Sequence, residues 1–154
     1  MKVLALALAL APAAAPQKYT GPMPPKADVP FLLHAARLIE VESGMAQQET
    51  RKDDEVFAVP GAASPVRTPV PEPIFLFLSE KIPPRLDLYR FDTKSGRREV
   101  VISKNRRKGS RPLRVTVTRV TDRLYRIEAG EILEPGEYAL TPEGSNAVFC
   151  FSVY

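Results

Sequence analysis

The chain has no tryptophan, one cysteine and one histidine in 154 residues. Each scarcity removes a class of chemistry. One cysteine cannot close an internal disulfide, so an exported form of this chain must be held by packing, or must pair Cys150 between chains. One histidine, His34, excludes a multi-histidine metal site and leaves any serine–histidine–acid triad a single candidate base. Cys-x-x-Cys, His-Glu-x-x-His and Gly-rich phosphate-loop motifs are all missing. Neither a metal nor a cofactor is expected. Long apolar runs are lacking too. Val3 to Ala11 falls well short of the ~20 residues that a membrane-spanning helix needs, and nothing downstream exceeds it.

What is present begins at the first residue. Residues 1–16 read MKVLALALALAPAAAP: one lysine, then a Leu/Ala/Val run, then a small-residue patch. This is the order of a secretory signal peptide, and it predicts a secreted or periplasmic protein. Ala13-Ala14-Ala15 offers an A-x-A cut, although Pro16 is an awkward residue to follow it. Lipid anchoring at the cut would need a cysteine there, and the only cysteine is Cys150. Removing the segment leaves about 138 residues, enough for one domain with a real core. Residues 17–30 (QKYTGPMPPKADVP) carry four prolines and read as a stiff leader or linker. The folded domain is expected over 31–154.

Within that domain the pattern is β throughout. Residues 31–41 (FLLHAARLIEV) are ambiguous between strand and short helix and are read as one strand. Residues 42–55 are polar and read as a solvated loop or a frayed helical turn. A short strand is expected at Val56 to Val59. Residues 60–73 are rich in proline, which cannot donate to a β-ladder, so they belong outside a sheet interior. Ile74 to Leu78 (IFLFL) fits a central strand buried on both faces. Leu86 to Phe91 and Arg97 to Ser103 read as a hairpin about Asp92–Gly96. Leu113 to Val120 alternates cleanly, and Leu124 to Ala129 returns beside it. Gly136 to Thr141 and Ala147 to Val153 make a last pair. About seven or eight strands with regular turn signals predict a single antiparallel β-sandwich.

The segment Leu133-Glu134-Pro135-Gly136-Glu137-Tyr138-Ala139-Leu140 resembles the corner before the penultimate strand in immunoglobulin-like and fibronectin type III-like sandwiches. The resemblance implies that Leu133 plugs the core, that Pro135-Gly136 turns the chain, and that Tyr138 hydrogen-bonds back to the backbone. It covers about twenty residues and implies architecture rather than activity.

The strongest candidate for binding is basic. Arg97, Arg98, Lys104, Arg106, Arg107, Lys108 and Arg111 fall within fifteen residues, with Glu99 as the one acid, and residues 104–111 have loop composition. Clustered guanidinium and ammonium groups suit phosphate, sulfate or carboxylate partners. Outside the cytoplasm these are lipid headgroups or acidic polysaccharide. Aromatic residues do not interleave with the basic ones, so no stacking platform for nucleic acid is apparent. The bland alternative is a solvated hairpin loop. His34 reads as a packed or edge residue and Cys150, between two phenylalanines, as a small buried hydrophobe. Asp53, Asp54 and Glu55 lack the spacing of a calcium loop. Residues 65–73 could display a polyproline II ligand. The expectation is an exported, non-enzymatic β-sandwich that binds a protein or an anionic surface. Two alternatives stand beside it: a small secreted hydrolase or carbohydrate-active domain using paired carboxylates, and an assembly subunit that adds an edge strand to its neighbours.

Overall fold

The computed structural model describes residues 18–80, 85–105 and 107–154, and every regular element in them is a β-strand. The expected signal peptide, residues 1–16, lies outside the described residues, as do Gln17 and Arg106. Fourteen strands follow in order: β1 (Pro30–His34), β2 (Arg37–Glu40), β3 (Glu42–Met45), β4 (Gln47–Arg51), β5 (Asp54–Pro60), β6 (Arg67–Thr68), β7 (Ile74–Leu78), β8 (Leu86–Arg90), β9 (Asp92–Lys94), β10 (Arg97–Ile102), β11 (Val115–Arg119), β12 (Leu124–Ala129), β13 (Gly136–Pro142) and β14 (Ala147–Val153). They build three sheets. Sheet 1 runs β11-β12-β7-β1-β2, sheet 2 runs β3-β14-β13-β8 with β6 parallel to β14, and sheet 3 runs β4-β5-β10-β9.

Sheet 2 is the middle layer, and β14 explains why. Its side chains alternate between faces, yet Val148 to Val153 are all buried. Phe149, Phe151 and Val153 join Phe75, Phe77, Tyr125 and Ile127 of sheet 1 in one core. Val148 and Cys150 point the other way and join Val59 and Val100 of sheet 3 in a second, smaller core. The architecture is thus all-β and sandwich-like, but with a third sheet behind the sandwich, and with more and shorter strands than the sequence suggests.

Most of the extra strands come from residues 31–60. The apolar stretch over 31–41 is a hairpin instead of one strand. His34 pairs with Arg37, and the two turn residues, Ala35 and Ala36, have φ of 47° and 62°. That turn geometry normally selects Asn and Gly, so two alanines give no sequence signal for it. The polar residues 42–55, expected as a loop, form β3, β4 and the start of β5. From β2 the chain passes through sheets 1, 2 and 3 in turn, crossing at the single buried residues Val41 and Ala46. All five residues of β4 are exposed, so this edge strand lacks the apolar alternation that would reveal it. The hairpin expected between Leu86 and Ser103 is also split: β8 lies in sheet 2, the chain crosses at buried Phe91, and β9 pairs with β10 about Ser95-Gly96.

Leu133 is buried in the main core, and the Tyr138 hydroxyl donates to the Glu134 carbonyl at 2.7 Å. The described part of the leader lies against sheet 1. Lys26 Nζ sits 2.5 Å from Glu40 Oε1, and the Asp28 N–H donates to the Leu78 carbonyl at 2.8 Å.

Candidate functional site

Strand alternation divides the basic segment into groups with different surroundings. In β10 the side chains of Arg98 and Val100 face sheet 2, whereas Arg97 and Glu99 face outward. Arg98 is 1% exposed. Its Nη1 and Nη2 donate to the two carboxylate oxygens of Glu42 at 2.8 and 2.9 Å, its Nε to the Gly61 carbonyl at 3.0 Å, and its Nη2 also to the Pro60 carbonyl at 2.9 Å. This two-pronged pairing holds the Glu42 carboxyl below the usual carboxylate range despite partial burial. Beside it, Glu137 accepts from the Ser64 N–H at 2.8 Å and from the Ser152 hydroxyl. Burial pushes the neighbouring Cys150 thiol up to about 12, which makes it inert as a nucleophile at neutral pH.

Arg97 and Glu99 belong to a second network on the outer face of sheet 3. Arg97 Nη2 lies 2.5 Å from Glu49 Oε1 and 2.6 Å from Glu99 Oε1. Arg51 reaches the same Glu99 oxygen at 3.0 Å and Glu49 at 3.1 Å. The arginines hold both carboxyls below their ordinary range. Arg97 and Arg98, expected to contribute to an anion-binding surface, are therefore already committed to carboxylates of the chain itself.

The loop after β10 is different. Ser110 closes its base: its N–H donates to the Val101 carbonyl at 2.6 Å, and its hydroxyl accepts from the Val101 N–H at 3.1 Å. Asn105 shapes its tip, accepting from the N–H groups of Arg107 and Lys108. Gly109 has φ of 96°, and a Cβ there would come within 2.7 Å of the Val101 carbonyl oxygen, so both conformation and space require glycine. On this frame Lys104, Arg107, Lys108 and Arg111 are exposed. Among the described residues, no carboxylate pairs with Lys104, Arg107 or Lys108. A concavity of about 360 Å³ is lined by Ile102, Ser103, Lys108, Ser110 and Arg111.

Beside it, sheets 2 and 3 part to leave a cleft of about 350 Å³. Tyr89, Ala139, Val148 and Phe91 line it from the sheet 2 side, and Phe57, Val100 and Ile102 from sheet 3. Ala139 faces sheet 3 from the centre of sheet 2, and with Ala46 at the crossing it leaves the room that larger side chains would fill. Polar groups at the cleft are Asp87, Thr141, Ser145 and Asn146. Burial, with the Asp87 charge as a smaller cause, raises the Tyr89 phenol. Ile102 lines both the cleft and the basic concavity. The loop leaves sheet 3 at Ile102 and reaches sheet 2 where the Leu113 N–H donates to the Leu88 carbonyl at 2.7 Å, so it spans the two walls.

The sequence did not point to this cleft. The available signal was β14, whose unbroken apolar run asks for a layer on each side. The remaining sequence candidates are scattered. His34 is an exposed hairpin residue, and Asp53 sits in the β4–β5 turn. Asp54 accepts from the Ser103 hydroxyl at 2.7 Å, and Glu55 faces the Gln48 and Thr50 side chains. Arg67 and Thr68 of the proline-rich stretch form β6. Among the described residues, no group of three His, Cys, Asp or Glu side chains is placed to hold a metal, and no helix is long and apolar enough to cross a membrane. Comparison with protein-family models, curated proteins and solved structures finds no match.

Proposed function

We propose that this chain is an exported, non-enzymatic binding module that holds an anionic partner on the loop 104–111. Its sheets 1 and 2 serve as an immunoglobulin-like or fibronectin type III-like sandwich, a reading supported by the Tyr138–Glu134 hydrogen bond and the buried Leu133. Export rests on the residue order of 1–16. One observation carries the binding proposal. The loop presents Lys104, Arg107 and Lys108 exposed and without carboxylate partners among the described residues, on a frame fixed by Gly109 and Ser110, while the arginines just before it are paired internally. Exposed charges not engaged by carboxylates of the chain are available to a partner.

The hydrolase alternative needs two carboxyl groups converging in a cleft, at least one with a raised pKa. Asp87 is the one carboxylate among the residues lining the cleft, and the displaced carboxylates, Glu42, Glu49 and Glu99, are all pulled downward by arginines. These observations favour binding over hydrolysis. The test is retention of the mature protein on a sulfated polysaccharide resin and on vesicles with anionic headgroups. The variant K104E/R107E/K108E should lose both. Equal retention of variant and parent would refute the role of the loop.

A further inference from the structure

We propose that the cleft between sheets 2 and 3 receives the apolar chain of a single-chain anionic amphiphile whose head lies on the basic loop. This deepens the loop proposal and rests on it. Three observations lead here. The cleft volume, about 350 Å³, falls at the lower end of the ~300–1,000 Å³ typical of small-molecule sites. Its walls are chiefly apolar, with Phe57, Tyr89, Val100 and Val148 facing one another. The positive concavity formed by Lys108 and Arg111 shares Ile102 with the cleft, and Ile102 is 37% exposed at that junction. An acyl chain bound among these side chains would leave water as a buried core residue does, while its phosphate, sulfate or carboxylate head meets cations at the rim.

A free inorganic anion would use only the loop, and a neutral alkyl chain only the cleft. One charge opposes the arrangement. Asp87 lines the cleft, so the head is excluded from its side and directed toward Ile102 and Lys108. Removing that charge should tighten binding of the amphiphile and leave binding of a headgroup alone unchanged.

The experiment is calorimetric titration of the mature protein with decyl phosphate below its micellar concentration, with inorganic phosphate and with decanol. Decyl phosphate should bind at least about tenfold tighter than either of the other two, since each buried methylene adds to the affinity of the head. Ala139→Leu fills the cleft and should abolish that advantage while phosphate binding is kept. Ile102→Asn acts at the partly exposed rim without adding a charge beside Lys108, and should weaken decyl phosphate by about tenfold or more while phosphate binding is kept. Asp87→Asn should strengthen decyl phosphate only. If decyl phosphate binds no tighter than phosphate, or if both cleft variants bind it as the parent does, the cleft proposal is wrong while the loop proposal stands. If no anion binds, including the sulfated polysaccharide, the loop proposal falls and takes the cleft proposal with it.

Discussion

Arg97 and Arg98 lie seven and six residues before Lys104, and the two basic groups have opposite fates. Arg98 is almost wholly buried against Glu42, and Arg97 is held between Glu49 and Glu99. Lys104, Arg107 and Lys108 stand exposed in a loop. Composition does not separate them. What separates them is backbone conformation, because a strand directs alternate side chains to opposite faces of a sheet whose neighbours already carry acids. A basic run that continues from a strand into a loop is thus two objects, one structural and one accessible.

The largest break in this comparison should come from Arg98→Ala. It strands Glu42 and two backbone carbonyls in the gap between sheets. Loss of one partner from a buried ion pair costs about 3–5 kcal/mol, and partial exposure of Glu42 puts the expected loss near about 3. Urea denaturation of the two proteins measures it. Cys150 offers a second readout at the same place. With its thiol pushed up to about 12, the native thiolate fraction at pH 8 is on the order of one in ten thousand, so thiol reagents should label it only through opening. Labelling should accelerate in Arg98→Ala in step with the lost stability, and should be unchanged in K104E/R107E/K108E.

Acid sharpens the comparison further. The folded pKa values of Glu42 and Glu99 are depressed by their arginines. Their contribution to stability is therefore fully present above the unfolded carboxylate value of about 4.3 and is lost as pH falls through the depressed folded values. A denaturation series from pH 7 down to pH 3 should show stability falling on the acid side. The fall should be shallower in Arg98→Ala, which has no Glu42 pairing to lose, and of parental steepness in the loop variant. Arg97→Ala should cost less than Arg98→Ala, because Arg97 itself is partly exposed and Arg51 still pairs with the buried Glu99 carboxylate. The loop variant itself should change stability by no more than about 0.5 kcal/mol, since among the described residues no carboxylate pairs with those three exposed charges.

How much of this was legible follows residue by residue. β7, β11, β12, β13 and β14 announce themselves through apolar runs or alternation, and the Leu133–Tyr138 corner through its turn chemistry. The hairpin at Ala35-Ala36 does not, because two good helix formers occupy a left-handed turn. β3 and β4 do not either, since their register is imposed by partners such as Phe57 and Cys150 and not by their own polar side chains. The loop cations were visible as composition. Their division from Arg97 and Arg98 was not, because Glu42 and Glu49 are some fifty residues away in the chain and only the third sheet brings them near. The cleft was invisible for a related reason: Ala46 and Ala139 mark it by being small, and small residues carry no motif.

The most direct measurement is salt elution of three folded proteins from a sulfated polysaccharide resin: the parent, Arg97→Ala and K104E/R107E/K108E. The account predicts that Arg97→Ala elutes with the parent and that the loop variant elutes at much lower salt with its thermal midpoint unchanged. Co-elution of the loop variant with the parent, or a shift confined to Arg97→Ala, would contradict the division between internal and accessible cations.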